Sequence, residues 1–234
     1  MIQIIRSVTP KTLIGSPLNV DRYNSKTVVK ALFEMQHGKC CYCEQEIPEA
    51  GHLKAVEHFK PKSIFISLRN DWNNLLLACS QCNGKKSDKF PVMLSDHPTE
   101  AKVVYIKKIS VGIILIIDPS NSKTNPEDYL DFNLNNSEEN YGQIIAKNND
   151  SAGLETIKAI GLAGEFYLRK HRDHYIQLER AFLTLLQATE QNNQFSIMNS
   201  KNQWTLLLNE ECKFAGLARA YARYKRLDRF GIEP

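Results

Sequence analysis

The sequence has 234 residues, of which 42% are hydrophobic and 24% are charged. This usage is that of an ordinary globular protein, and it excludes an intrinsically disordered chain, collagen and a coiled coil. The net charge is only +4, so composition does not by itself indicate a nucleic-acid-binding protein, and any basic site must be local.

The N-terminal segment, residues 1–38, begins with MIQIIRSVTP. This start lacks a cationic stretch followed by an apolar one, so we expect no export signal. The longest apolar run, residues 111–117, is far shorter than the roughly 20 residues that span a membrane. We therefore expect a cytoplasmic protein with no membrane partner. Residues 21–36 carry apolar side chains at helical spacing, and Gly38 follows as a stop signal, which predicts an N-terminal helix.

A module rich in cysteine and turn residues follows at residues 39–91. It holds two Cys-x2-Cys pairs separated by 35 residues, a pattern typical of one zinc ion held by two knuckles. Disulfides are disfavoured in a reducing cytoplasm, so we predict a structural zinc site with four thiolate ligands. These ligands are Cys40, Cys43, Cys79 and Cys82. Cys41 and Cys212 fall outside the pattern, and we interpret them as buried, unreactive thiols.

The same module contains the residue types that phosphodiester hydrolysis needs. A free histidine titrates near neutrality, so His58 is the candidate general base for an attacking water. Glu57 and Asn83 offer oxygen ligands, which favour Mg²⁺ or Mn²⁺ over zinc for a second, catalytic metal. Neighbouring residues of a strand point to opposite faces, so Glu57 and His58 could serve one phosphate only if the strand ends there, and Pro61 predicts such an end.

Further residues of the module are expected to support this chemistry. Asn83 falls in the first turn of a predicted helix, where backbone N–H groups favour a phosphate, and Lys86 follows one turn later in reach of the same phosphate. Asn74 lies in the loop before the second strand, where its amide can bond the backbone and hold the His58 strand in register. Basic side chains predicted to contact nucleic acid are Lys60, Lys62, Lys85, Arg223 and Arg226.

The rest of the chain divides into an acidic strand and loop segment at 92–150 and a helical region at 151–234. Predicted strands cover 103–106 and 112–117; predicted helices cover 153–162, 165 to about 190, and 203–229, with a polar break at 191–200. His171 and His174 are interpreted as part of a solvated helix face. The basic C-terminal helix could follow a phosphate backbone, dock an acidic partner, or pack its aromatic residues.

The order Glu57-His58, Asn74, Asn83 resembles the HNH endonuclease motif in the variant with a final Asn. The strings KCCYCE, VEHFKPKS, DWNNLLLACSQCNGKKSDKFP and IIDPSNSKTNPEDYLDF are more narrowly similar to the PtuB family, the HNH subunits of Septu anti-phage systems. The resemblance covers residues 40 to about 172. It implies a mainly helical α+β protein, in which a ββα-metal module with a four-cysteine zinc site is flanked by an N-terminal helix and a C-terminal helical region.

The resemblance also implies a function. It indicates a metal-dependent nuclease acting on DNA or on RNA such as tRNA, an orienting role for Asn74, and control by a PtuA-like ATPase in antiviral defence. Some family members are encoded beside a retron reverse transcriptase, which with its DNA-RNA product is a further partner that the resemblance suggests. The competing hypothesis is a zinc-ribbon adaptor with a degenerate nuclease centre, which binds nucleic acid or the ATPase without cleavage.

Overall fold

The structure, a computed structural model, describes residues 1–17, 19–49, 54–93, 103–105 and 113–234. The chain forms two compact units, the first made of Met1–Leu130 and Ala146–Leu162, the second of Asp131–Ile145 and Ala163–Pro234. Within the described residues there are six α-helices and three small sheets, so the predicted mainly helical α+β class is confirmed. None of the helices in the described ranges is long and apolar enough to cross a membrane.

The elements are short apart from two helices of the second unit. The helices are α1 (Lys26–Met35), α2 (Ser80–Lys86), α3 (Ser151–Ile160), α4 (Glu165–Glu190), α5 (Gln194–Leu208) and α6 (Ala215–Tyr224). The strands are β1 (Lys54–His58), β2 (Leu75–Cys79), β3 (Pro91–Met93), β4 (Val103–Tyr105), β5 (Ile113–Ile114), β6 (Leu130–Phe132) and β7 (Ile144–Ala146). The sheets pair β1 with β2, β3 with both β4 and β5, and β6 with β7.

The centre of the first unit is an antiparallel hairpin followed by a helix. His58, the last residue of β1, stands opposite Leu75, the first residue of β2. All five side chains of β2 are buried, which explains why its sequence is a continuous apolar run rather than an alternating one. The chain then enters α2 directly, with Cys79 as the N-cap, so strand and helix form the predicted ββα arrangement.

Gln36, the residue that follows α1, bonds the edge of β2 that is not paired with β1. The buried Gln36 amide donates to the Leu77 carbonyl (2.8 Å) and accepts from the Leu77 N–H (2.7 Å), so it bonds β2 as a strand residue would. It also donates to the Lys39 carbonyl (2.9 Å). Among the described strands β2 pairs with β1 alone, so this side chain gives the buried Leu77 N–H an acceptor that the sheet does not supply.

Several predicted boundaries differ from the structure. Helix α1 begins at Lys26, after the Ser25 cap, rather than at residue 21. The polar break predicted at 191–200 is wrong, because the Asn193 side chain accepts from the Ser196 N–H and caps α5 at that point. The single helix predicted at 203–229 is interrupted between α5 and α6, where Phe214 adopts a left-handed conformation. Residues 106 and 112 of the predicted strands lie outside the described residues.

The second unit is built around packed aromatic rings of α4, α5 and α6. Trp204 and Tyr221 are fully buried and stacked, with ring centres 5.9 Å apart, and the Tyr221 hydroxyl donates to Glu179. His171 and His174 are buried, so their interpretation as a solvated face is wrong. The reason is tertiary, since the phenyl ring of Phe214 packs against both imidazoles.

The Gln36 contact predicts a clear loss of stability. Gln36→Leu should lower the free energy of unfolding by about 2 kcal/mol, because the buried Leu77 N–H loses its acceptor. Urea unfolding monitored by circular dichroism would measure the change. Gln81→Leu, at an exposed position of the same unit, should stay within about 0.5 kcal/mol of the parent protein. Equal effects of the two substitutions would contradict the assigned role of Gln36.

Candidate active site

Four cysteine sulfurs meet where the segment after α1 reaches the junction of β2 and α2. The Sγ atoms of Cys40, Cys43, Cys79 and Cys82 all lie within 4.8 Å of one another, and all four residues are buried. Sulfurs bound at about 2.3 Å to one tetrahedral zinc ion stand about 3.8 Å apart, and the Cys43 and Cys79 sulfurs are 3.9 Å apart. The cluster therefore fits a structural zinc ion.

The two other cysteines are placed differently. Cys41 is buried, and its backbone N–H donates to the Leu77 carbonyl (2.9 Å), which fixes it on β2 next to the cluster. Its sulfur is not part of the four-sulfur group. Cys212, in the second unit, is half-buried, so its interpretation as a buried thiol is wrong. The four predicted ligands are thus brought together, and the two cysteines outside the Cys-x2-Cys pattern are left out.

His58 lies at the end of β1, with 8% of its surface exposed. Its Nε2 atom is 2.9 Å from the Arg69 carbonyl oxygen. A carbonyl can only accept, so in this bond Nε2 carries the proton and the neutral ring keeps its lone pair on Nδ1. Burial lowers the pKa of His58, and the positive charges of Lys62, Lys86 and Arg69 lower it further against the opposing effect of the carbonyl. These effects favour the neutral imidazole, which is the form able to accept a proton.

Glu57 points to a different set of partners from His58. Its Oε1 atom is 2.6 Å from the Lys86 ammonium and accepts from the Tyr42 hydroxyl (3.2 Å). Lys86 is fully buried and Glu57 is 2% exposed, and the Lys86 ammonium also donates to the His58 carbonyl (3.0 Å). Burial raises the pKa of Glu57, and the Lys86 charge counteracts that rise. The structure thus brings Lys86 to a carboxylate and to the end of β1, rather than to the protein surface.

The contacts of Glu57 decide which of its oxygens could bind a catalytic metal ion. Both contacts of Glu57 just described fall on Oε1, so Oε2 is the oxygen that a cation could meet. Asn83 is half-buried on α2, one turn before Lys86. A carboxylate and an amide are the hard oxygen donors that Mg²⁺ and Mn²⁺ prefer. The donor set of Glu57 and Asn83 therefore fits such an ion.

Asn74 occupies the position expected for a support of the His58 strand. It ends a short 3-10 turn, Trp72–Asn74, directly before β2. Its side chain accepts from the Lys60 N–H (2.8 Å) and donates to the Lys60 carbonyl (2.9 Å), and its own carbonyl accepts from the Phe59 N–H. The chain leaving β1 is thereby held two residues after His58.

The basic residues predicted to contact nucleic acid are spread over both units. In the first unit, Lys60 and Lys62 are half-buried and Lys85 is exposed on α2. In the second, Arg223 is exposed on α6, and the exposed Arg226 pairs with Asp228 (3.1 Å). Of the predicted basic and catalytic lysines, Lys62 and Lys86 carry charges that lower the pKa of His58.

Several residues of the site were missed by sequence reasoning. Tyr42, between the first two zinc-pattern cysteines, is fully buried and bonds Glu57. Tyr23 packs its ring against His58, and Asn70 bonds the backbone of the loop that carries Tyr23. A polar or aromatic residue between paired cysteines is a weak signal for Tyr42. Tyr23 carries no sequence signal, because only the tertiary fold brings it to residue 58.

The cysteine cluster predicts that two buried cysteines, Cys79 and Cys41, differ in their effect on zinc binding. Elemental analysis of the purified protein should find about one zinc per chain, the number that four thiolates hold. Cys79→Ser should lose this zinc and lower the melting temperature, because a structural zinc contributes directly to folding. Cys41→Ser, a matched control at another buried cysteine, should retain the zinc. Retention of zinc by Cys79→Ser would contradict the ligand assignment.

The buried Glu57–Lys86 pair predicts strong coupling in stability. Lys86→Met should destabilise the protein by about 3 kcal/mol or more, because it leaves a buried carboxylate without its counter-charge. The double variant Glu57→Gln with Lys86→Met should be less destabilised than the sum of the single variants, since both charges are removed together. Urea unfolding of the four proteins measures the coupling. Additive effects would show that the pair does not interact in solution.

The part of the chain that holds the cysteine cluster and His58 is similar to known proteins. The HNH endonuclease family model matches residues 40–89. The chain is 34% identical over 106 residues to a Septu protein PtuB of Bacillus thuringiensis, covering 40% of this chain and 41% of that protein. It is 27% identical over 156 residues to a Septu protein PtuB of Bacillus mycoides (strain KBAB4), covering 61% of this chain and 48% of that protein. The chain thus spans less than half the length of these curated relatives. It contains an HNH endonuclease domain and is similar, over part of its length, to the Septu PtuB proteins.

Proposed function

We propose that this protein is a metal-dependent endonuclease that hydrolyses phosphodiester bonds of nucleic acid. The observation that carries the proposal is the state of His58, which is held through Nε2 on a backbone carbonyl at the end of β1 and keeps a lone pair on Nδ1. A general base needs this combination of fixed orientation and neutral charge. The HNH endonuclease domain at residues 40–89 gives independent support.

In this mechanism the residues divide the work by position. Nδ1 of His58 accepts a proton from the attacking water, and the Arg69 carbonyl keeps the ring oriented. The Asn74 side chain bonds the backbone of Lys60, two residues after His58, and thereby helps to position His58. Glu57 and Asn83 would hold one Mg²⁺ or Mn²⁺ ion, which when bound supplies positive charge to the developing phosphorane. The four cysteines would hold a zinc ion whose role is structural.

The biological setting is part of the proposal. Similarity to Septu PtuB proteins supports a role in anti-phage defence with an ATPase partner of the PtuA type. A nuclease of this kind would damage the host if it were always active, so control by a partner would protect the host. Both DNA and RNA, including tRNA, present the phosphodiester that the activated water would attack. The retron reverse transcriptase that the family resemblance suggests stays a prediction.

A second candidate function is favoured by one observation. The Glu57 carboxylate is already bonded to the buried Lys86 ammonium, which would compete with a catalytic cation. If that ion pair persists, the module would be a zinc-stabilised adaptor that binds nucleic acid or the ATPase without cleaving. The two functions are separated by a cleavage assay with added metal.

His58→Ala provides that test. In the presence of Mg²⁺ or Mn²⁺ the purified protein should cleave labelled DNA or RNA, and the variant should lose about 100-fold or more of this activity because it lacks the general base. Its zinc content should be unchanged, which separates loss of catalysis from loss of folding.

A matched control is His37→Asn, at an exposed position with a positive φ that asparagine tolerates. It should cleave at the parental rate. Cleavage by His58→Ala at the parental rate would rule out the mechanism, and absence of cleavage in all three proteins with either metal would favour the adaptor.

A further inference from the structure

The loop before α1 delivers an aromatic residue to His58. The ring of Tyr23 packs edge-on against the imidazole, with ring centres 4.6 Å apart and planes at 76°. This contact covers one side of the candidate base, which is itself only 8% exposed. The two residues lie far apart in sequence, so the contact is produced by the tertiary fold of the first unit.

Arg69 and Asn70, which are consecutive in the chain, fix the contact between Tyr23 and His58. The Arg69 carbonyl holds Nε2 of His58, and the buried Asn70 side chain holds the loop of Tyr23. The Asn70 amide accepts from the N–H groups of Arg22 and Tyr23 (3.1 Å each) and donates to the Pro17 and Val20 carbonyls (3.2 and 2.9 Å). With four bonds, this one side chain ties the loop to the same turn that orients His58.

Tyr23 also holds a cation beside His58. The half-buried Lys62 ammonium donates to the Tyr23 hydroxyl oxygen and lies 4.3 Å from the centre of its ring. Two other cations near His58 are each matched by a carboxylate: Arg69 pairs with Asp21 (2.7 Å) and Lys86 pairs with Glu57 (2.6 Å). Within the part of the chain that the structure describes, Lys62 pairs with no carboxylate. Its partner is a neutral phenol, which orients the ammonium and leaves its charge available.

We propose that Tyr23 is a positioning residue of the nuclease site, which holds Lys62 so that its ammonium binds a phosphodiester group of the nucleic-acid strand beside His58. The inference rests on the proposed function and extends it to the substrate contacts. A phosphate attracts an ammonium more strongly where burial lowers the local dielectric constant. The recognised chemistry is the backbone phosphate shared by DNA and RNA, and no base contact is involved.

Three variants test the link between Tyr23 and Lys62 in the cleavage reaction. Lys62→Met should raise KM by about 10-fold or more, the effect of losing a charge-assisted bond, with kcat changed by less. Tyr23→Phe keeps the ring on His58 and removes the oxygen that orients Lys62, so KM should rise by about 5-fold. The double variant should match Lys62→Met alone, because Tyr23 acts through Lys62. A multiplicative effect in the double variant would overturn the proposed link.

Salt dependence tests the phosphate contact without cleavage. Binding of a fluorescein-labelled single-stranded DNA, and of the RNA of the same sequence, would be measured over a range of salt concentrations with no Mg²⁺ or Mn²⁺ added. For Lys62→Met, the slope of log K against log salt should decrease in magnitude by about 0.7, the value for one lost phosphate contact on a single strand. A purely structural lysine would not change this slope.

A control variant accompanies these tests, and failure of the Lys62 inference can be told apart from failure of the proposed nuclease function. Lys30→Met removes an exposed lysine of α1 that pairs with Glu34, and it should leave KM and the salt slope unchanged. An unchanged slope for Lys62→Met in a protein that cleaves would overturn this inference and leave the nuclease intact. Failure of the nuclease itself would appear as absence of cleavage in the parent protein with added metal, and the salt slope would still decide whether Lys62 contacts phosphate.

Discussion

The HNH module at residues 40–89 depends on one feature, the meeting of four cysteine sulfurs within 4.8 Å of one another. Two of the sulfurs come from the segment after α1 and two from the junction of β2 with α2, so a single ion bound by them would fix the start of the module to its end. Few elements of the module are long enough to be stable alone, because β1 and β2 have five residues each and α2 has seven. A central crosslink of this kind would replace part of the hydrophobic core that such a small module cannot build.

Side-chain amides provide the second kind of support. Short strands leave many backbone groups without partners, and buried groups of this type must be satisfied. Gln36 bonds β2, Asn70 bonds the loop before α1, and Asn74 bonds the chain after β1. Arg6 acts similarly, since its guanidinium donates to the Asn73 and Leu75 carbonyls (2.8 Å each). Specific side-chain hydrogen bonds thus hold the backbone around His58.

Side chains alternate in direction along β1, so Glu57 and His58 lie in two different electrostatic environments. Glu57 meets Lys86 and Tyr42, where a negative and a positive charge compensate each other in a buried setting. His58 meets Tyr23 and the Arg69 carbonyl, near the ammonium of Lys62. The Lys86 ammonium joins the two environments through its bond to the His58 carbonyl. Adjacent residues of one strand can thus have different roles, because the pleat directs them to different partners.

The sequence by itself determined the zinc-pattern cysteines, because ligand spacing is a local property. The resemblance of Glu57-His58, Asn74 and Asn83 to the HNH motif indicated the ββα order and these four residues as candidates. The sequence also predicted the extent of α4. It did not reveal that Asn193 begins a helix rather than a break, since the same residue type serves both turns and caps. Only the tertiary structure decided that Lys86 turns inward to Glu57, that His171 and His174 are buried, and that Tyr23 reaches His58. These contacts join residues distant in the chain, and burial and charge pairing between them depend on how the elements pack, which no local pattern specifies.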